Sequence, residues 1–436
     1  MKAPYKTRVN RIKKELKKNK LNSALLLSSN PLRKSTSDLY FRYRPNSDIY
    51  YLTGLRAEDV ILIVFAGNID PIIITSKKNL QKELWEGKPE NLNLAAKRIG
   101  AKLIQDANPR QKAFELLTSI DKIYFDPTPN SSSLAITQKL LETQNHQRRN
   151  QAYEFTQADI LLSPLRLIKD AFEVKQIRHA AESTLAAFDE VMPYITTGVS
   201  EYEIAASIEY WFMIQKCEVG FSSIVATRDS AAALHYNPFE IEYREGKGSK
   251  VLKRNDSLLI DCGASWGMYN ADVTRVFPVG ERFTDIQREI YQIVLAAQKA
   301  AISKVKAGVE VSTVYLAATK VLVEGLKELK VLKGNTSKLI ESGAYKKYFP
   351  HSIGHSLGLD VHDLSDHRAN NQATLKAGMV FTIEPGLYFS EKTKNIPASG
   401  YRIEDNILVT KSGCEVLTDF IPKEIDEIEA WHASAL

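Results

Sequence analysis

Four acidic residues set into strand-like, otherwise apolar sequence constrain this chain more than any other feature. In "SLLIDCGASWGMYNADVTRVFPVG", residues 257–280, Asp261 ends an apolar run and Asp272 interrupts the return strand. A turn around Trp266 and Gly267 predicts a hairpin from Ser257 to Val279, whose pleat can bring both carboxyls to one face. Further on, "GMVFTIEPGLYF" puts Glu384 at the end of another apolar strand. "GYRIEDNILVT" puts Glu404 within a strand, on the same face as Arg402 by the two-residue period. One acid at a strand end is ordinarily exposed or paired, and Arg275 and Arg402 are the nearby partners. Four together are harder to dismiss. Carboxylates converging in a core raise one another's pKa, and the arrangement is unfavourable unless cations offset them.

Histidine usage adds to the pattern. Of the eight histidines, His351, His355 and His362 fall in "HSIGHSLGLDVHD", a segment that is otherwise glycine and aliphatic and reads as largely buried. Either they are satisfied core histidines, or they face a site that needs imidazole. Two divalent ions would neutralise four carboxylates, and one of the histidines would complete the ligand set. Ions roughly 3.5–4 Å apart, sharing carboxylates and a water, make a hydrolytic centre. Four oxygen donors and one imidazole suit Mn²⁺, with Co²⁺, Fe²⁺ or Zn²⁺ also compatible, and no thiolate is placed to select a soft ion. Cys262 follows Asp261 directly and by alternation points to the opposite face, so it reads as packing. His351 and His355 have the i, i+4 spacing of a zinc-protease helix. Ser352 stands where that motif needs Glu, however, and Gly354 and Gly358 disfavour a helix. A strand and loop crossing the carboxylates is the expected setting.

At 436 residues the chain is long enough for two domains. From about residue 22 to 130, "SALLLSS", "DIYYLTGL", "VILIVFAG", "PIIITS" and "KIYFDP" read as strands, with helices near 77–87 and 109–119, which makes an α/β layer. A polar, poorly patterned stretch, "LETQNHQRRNQAYEFTQ", precedes a strong helix from about Ala171, so the boundary is expected near residue 165: domains 1–165 and 166–436. In the second, helices at about 171–192 and 200–216 are followed by strands. Helices at about 285–306 and 311–329 are again followed by strands, near 379–389 and 401–410. The repetition predicts two similar halves around one shared sheet. The overall class is α/β, in the α+β sense.

Composition excludes several classes. A net charge of +6 is modest. Much of it lies in an amino-terminal stretch where Val9, Ile12 and Leu16 fall at helical spacing among lysines and arginines. That reads as a helix with a solvated basic face, and no nucleic-acid partner is expected. No apolar run approaches the roughly 20 residues a membrane span needs, and the amino terminus lacks the pattern of a secretory signal. Cys217, Cys262 and Cys414 form neither a disulfide framework nor a zinc knuckle, so reduced thiols and a cytoplasmic location are expected.

The ordered set Asp261, Asp272, His355, Glu384 and Glu404 resembles the five metal ligands of the pita-bread metallopeptidases. "NADVTRVFP", "HSIGHSLGLDVHD", "TIEPGLY" and "YRIEDNILVT" look like that family's signature strings, and "SDLYFRYRPNSDIYYLTGL" is similar to the amino-terminal domain of its aminopeptidase P branch. The resemblance covers almost the whole chain. It implies an amino-terminal α/β domain followed by a pita-bread catalytic domain with pseudo-twofold halves around a curved, mainly antiparallel sheet. It also implies removal of the first residue from peptides with proline second, using two divalent ions. By position, Asp261 would bind one ion, Asp272 and Glu404 would bridge both, and His355 and Glu384 would bind the other. Glu384 would also shuttle the proton. His351, His362 and His235 (in "ALHYNP") match the family's substrate-side histidines, and Arg402 would fix a metal-binding carboxylate. Trp85, in "LWEGK", resembles a tryptophan that in some members reaches a neighbouring subunit's site; a buried anchor is the other reading. A homodimer or homotetramer is implied, and no membrane partner.

The chain departs from the pattern at Phe221, where some aminopeptidase P members have tyrosine, and at Ser352, Ser356 and Arg228, which bear on substrate preference more than on catalysis. Prolidase, which cleaves Xaa-Pro dipeptides, is the nearest alternative. Methionine aminopeptidase has no need of the large amino-terminal domain. A creatinase-like hydrolase does not need the full ligand set, and a non-catalytic scaffold of this fold would typically have lost ligands that are all present here.

Overall fold

In a computed structural model of the chain, residues 4–18, 22–147, 153–244, 248–364 and 373–435 are described. The chain divides into two compact units, Met1–Leu165 and Arg166–Leu436.

The first unit is built on a six-stranded mixed sheet. Its strands are β1 (Ser23–Ser28), β2 (Val60–Phe65), β3 (Ile72–Ser76), β4 (Lys102–Asp106), β5 (Lys122–Phe125) and β6 (Glu154–Gln157), in the order β4-β3-β2-β1-β5-β6. β1 and β2 are buried along their whole length, which is why they read as unbroken apolar runs rather than alternating ones. The amino-terminal helix Tyr5–Lys17 buries Val9, Ile12 and Leu16 completely, while its lysines stay outside. Arg8 is buried as well, donating to the Tyr51 carbonyl at 2.9 Å and lying 4.0 Å over the Tyr51 ring.

One expected strand is a helix. "DIYYLTGL" folds as the helix Ser47–Thr53, because Asn46 Oδ1 accepts from the backbone N–H of Asp48 and Ile49, and Gly54 closes the helix in the left-handed conformation (φ 73°). These terminal signals outweigh the β-propensity of Ile49, Tyr50 and Tyr51. The polar stretch 141–157 is partly helical: the helix Ser132–Gln147 covers its start and β6 its end, and residues 148–152 lie outside the described residues.

The second unit repeats one plan. The helix Ala171–Val191, fixed at its start by a reciprocal Asp170–Glu173 capping box, pairs with the helix Glu201–Ile214. Strands follow: β7 (Glu218–Val219), β8 (Ile224–Thr227), β9 (Ser257–Cys262), β10 (Ala264–Trp266), β11 (Tyr269–Asn270) and β12 (Val273–Pro278). Then the helices Asp285–Ile302 and Val311–Glu328 pair, and β13 (Val380–Ile383), β14 (Gly386–Phe389), β15 (Ser399–Arg402), β16 (Asp405–Val409) and β17 (Cys414–Val416) follow.

The shared sheet is not one ladder. Among the described residues these strands hydrogen-bond as four short antiparallel sheets, β11-β10-β7, β12-β9-β8, β13-β16-β17 and β14-β15. Each half therefore has two small sheets, and the chain passes between them at five places: residues 220–223, 263, 271–272, 384–385 and 403–404. Every acid singled out from the sequence lies within two residues of one of the last four of these breaks. Glu404 accordingly falls between β15 and β16 rather than within a strand. Interrupting the ladder turns side chains out of simple alternation and lets four strand-borne carboxyls point at one place.

Candidate metal centre

Asp261 sits on the central strand of its sheet, opposite Ile224 of β8 and Thr274 of β12, and is 6% exposed. Asp272 and Glu404 are deeper still, at 4% and 1%. The main chain of Asp272 is held by the Asn406 amide, which donates to its carbonyl at 2.5 Å and accepts from its N–H at 3.2 Å. Thr274 Oγ1 donates to Glu404 Oε2 at 2.7 Å and accepts from Arg402 Nε at 3.0 Å.

The histidine segment forms no helix. It runs beside β13, with Leu357 N–H on the Val380 carbonyl, Thr382 N–H on that of His355 and Glu384 N–H on that of Ile353. Gly354 allows this approach, because a Cβ there would lie 1.9 Å from the Thr382 carbonyl oxygen. His355 is thereby delivered to the carboxylates. Its Nε2 lies 3.3 Å from Asp272 and 3.6 Å from Glu384, and its Nδ1 lies 3.2 Å from the Ser356 carbonyl oxygen. A carbonyl only accepts, so an imidazole protonated on Nδ1 offers its Nε2 lone pair to the cluster, the usual arrangement for a ligating histidine.

Asp272, His355 and Glu404 each offer a ligand atom within 4.8 Å of the others. Asp261 and Glu384 line the same cavity, of about 670 Å³, together with His235, His351 and His362. Burial, then the charges of Asp261 and Glu384, push the Asp272 carboxyl well above the usual range; burial, then Asp272 and Glu384, do the same to Glu404. Against four carboxylates the pocket wall carries one arginine, Arg402, among the described residues. Among the described residues, Asp261 Oδ1 and Glu404 Oε1 are buried without a hydrogen-bond partner. Orphaned oxygens, mutually repelling carboxylates and a lone-pair nitrogen at one point form a donor set that fits hard divalent cations.

The surrounding groups orient this set. Arg402 Nη2 donates to Asp261 Oδ2 at 2.5 Å, and Nη1 donates to Tyr388 Oη at 3.0 Å. Burial works against the Arg402 charge, but Tyr388, Asp261, Glu404 and Glu384 more than offset it and hold the guanidinium protonated. Burial pushes the Tyr388 phenol up to about 12, against the pull of Arg402. Tyr388 Oη also lies 2.9 Å from His351 Nε2, while His351 Nδ1 is 2.8 Å from the Ser352 carbonyl. Both His351 nitrogens are therefore engaged within the protein, and burial lowers its pKa. The His362 ring lies 4.1 Å from that of His355, centroid to centroid, and its pKa is lowered by burial and by His355. His235 is exposed on the pocket wall.

Arg275 is no partner of the cluster acids. It is fully buried on the opposite side of β12 from Thr274, paired with Asp405 at 2.8 Å and donating to the carbonyls of Thr274, Glu404, Ile421 and Pro422. It holds the chain that presents Glu404. Tyr388, Thr274, Thr382 and Asn406 carried no role in the sequence. Thr274 alone had a signal, lying two residues after Asp272. Phe221 and Ser352 line the pocket; Arg228 instead donates to the Val251 carbonyl at 2.9 Å. Trp85 belongs to the first unit and is 81% exposed, which excludes a buried anchor.

The family model for metallopeptidase family M24 matches residues 175–411, and that for the aminopeptidase P N-terminal domain matches residues 5–124. The chain is 30% identical over 424 residues to the Xaa-Pro aminopeptidase of Escherichia coli strain K12, covering 95% of this chain and 94% of that protein. It is 32% identical over 418 residues to the Xaa-Pro aminopeptidase of Haemophilus influenzae, covering 94% and 93%. Its fold superimposes on Zn-substituted E. coli aminopeptidase P in complex with product, with a TM-score of 0.89, 28% identity and 99% of both chains covered.

Proposed function

The chain belongs to metallopeptidase family M24 with an aminopeptidase P N-terminal domain, and from that premise we propose how its own residues carry out metal-dependent removal of Xaa from Xaa-Pro peptides. The observation that carries the reading is the convergence of Asp261, Asp272, His355, Glu384 and Glu404 on one cavity beside three histidines. The first unit, matched as the aminopeptidase P N-terminal domain, favours this activity over that of a prolidase.

Asp261, Asp272, His355, Glu384 and Glu404 would hold two divalent ions, and Mn²⁺ suits their hardness best. When bound, such ions polarise the scissile carbonyl and make water a nucleophile at neutral pH. Glu384, less buried than Asp272 and Glu404 and steadied by Thr382 Oγ1 at 3.3 Å, takes the proton from the attacking water and passes it to the leaving nitrogen. That nitrogen belongs to proline and must be protonated to leave. His362 faces the oxyanion and His235 shapes the wall around the proline. His351, with its nitrogens engaged by the Ser352 carbonyl and Tyr388 Oη, acts by holding Tyr388 in place. Arg402 fixes the orientation of the Asp261 carboxylate.

The protein works as a homodimer or homotetramer in the cytoplasm. The helix Leu80–Glu86 supports the assembly: none of its residues is buried, and Leu80, Leu84 and Trp85 are 71%, 84% and 81% exposed. Three free thiols support the location. No helix among the described residues is long and apolar enough to cross a membrane.

The test is to strip the protein with a chelator, restore Mn²⁺ and follow Xaa-Pro-Ala, Xaa-Ala-Ala and the Xaa-Pro dipeptide. Mn²⁺-dependent release of Xaa from the first, with the other two slow, is expected. Preference for the dipeptide would make the protein a prolidase, and no cleavage by metal-loaded protein would overturn the reading.

A further inference from the structure

Glu240 is, among the described residues, the one acid on the pocket wall outside the carboxylate cluster. It stands on the short helix Pro238–Glu242, five positions after His235. The backbone beneath it is firmly held. Tyr236 Oη donates to Glu201 Oε2 at 2.6 Å, and the fully buried Glu201 also accepts from the N–H of Thr227 at 2.7 Å and of Lys250 at 2.9 Å. Asn237 Oδ1 caps the helix through Phe239 N–H at 3.0 Å, and Pro238 is buried. On this fixed base the Glu240 side chain is 67% exposed. Its ion-pair partner is Arg244 at 3.7 Å, itself 61% exposed, an i, i+4 pair that neutralises it only weakly.

The attacked carbonyl must lie at the buried carboxylates, so the peptide leaves the pocket past its exposed wall, where Glu240 stands. Arg402, the only Arg or Lys on that wall among the described residues, is committed to Asp261, Thr274 and Tyr388. Among the described residues, the charge on that wall left to meet a departing peptide is therefore negative.

We propose that Glu240 reads the substrate just beyond the proline. It favours a cationic residue in third position and opposes a negative charge there, whether an acidic side chain or the free carboxylate of an Xaa-Pro dipeptide. The proposal rests on the Xaa-Pro reading of the site. Unit charges roughly 7 Å apart in a medium between water and a protein surface change a rate constant by about threefold to tenfold, and added salt weakens the effect.

The test compares kcat/KM for Xaa-Pro-Lys and Xaa-Pro-Glu peptides at low salt in the Mn²⁺-loaded wild-type, Glu240→Gln and Arg244→Gln proteins. The two peptides differ by two unit charges, so the wild type should prefer the lysine peptide by about tenfold to a hundredfold. The preference should collapse in Glu240→Gln and widen in Arg244→Gln. Xaa-Pro should gain on Xaa-Pro-Ala in Glu240→Gln. Each ratio is taken within one protein, so a loss of folded material cancels. Equal rates on both peptides in the wild type, or an unchanged ratio in Glu240→Gln, overturns the proposal and leaves the Xaa-Pro reading standing. Failure to cleave Xaa-Pro-Ala overturns both.

Discussion

Asp363 illustrates, at the scale of one residue, how the site is held by groups remote from the chemistry. It follows His362 directly, and its carboxylate accepts from Arg166 and, at 3.0 Å, from Lys169, all three side chains being buried. Burial alone would raise its pKa, but Lys169 and Arg166 more than offset that and hold it below the usual range. A carboxyl with a depressed folded pKa contributes stability that is fully present above its unfolded value of about 3.9 and is lost as pH falls through the folded value. Asp363→Asn should therefore cost about 3–5 kcal/mol near neutral pH, because it strands the buried Lys169 and takes one carboxylate from the buried Arg166, which keeps its 2.7 Å pair with Asp360. Urea titrations of both proteins should converge at pH values below the folded pKa of Asp363; a gap that persists there would mean the loss is steric. The aspartate was legible as part of "LDVHD", but its partners lie 194 and 197 positions away and were not. The pairing of Arg275 with Asp405 eluded sequence reading for the same reason, since two arginines near four acids do not reveal which acid each one meets.

At the scale of elements, helices and strands were legible where periodicity was strong, as in the helix pairs of the second unit and the strands β1, β2 and β9. The helix Ser47–Thr53 was misread because its aromatic and β-branched content argued for strand, while its actual determinants, Asn46 and Gly54, flank it. The breaks between small sheets were not legible either, although four of the five let the acids converge. Gly354 gives this level its test. Alanine there would drive a Cβ to within 1.9 Å of the Thr382 carbonyl oxygen and push the histidine segment off β13. Gly354→Ala should cost about 1–3 kcal/mol by overpacking and lower metal content, since His355 is the next residue. Gly413→Ala, where a Cβ meets nothing within 4 Å, is the control and should leave both unchanged. Wild-type metal content and melting temperature in Gly354→Ala would mean that the close approach to β13 does not set the position of His355.

For the whole molecule, the four candidate acids followed from one physical conflict visible in the sequence, acids in places that call for burial, while His355 was singled out among three histidines by the family resemblance. The structure sharpens that conflict into four carboxylates around one cavity, two with strongly raised pKa values and two oxygens with no partner among the described residues. What the sequence withheld is the support, Tyr388, Thr274, Asn406 and the Arg275 grip on the Glu404 chain, because each joins segments far apart in the chain. The most direct test of the central claim is to count metal. Chelator-stripped protein, reloaded with Mn²⁺ and freed of excess, should hold two ions per chain by elemental analysis. Asp261→Ala should lose metal and turnover of Xaa-Pro-Ala together. A wild type that binds no divalent ion, or an Asp261→Ala protein with full metal content and full turnover, would contradict the account.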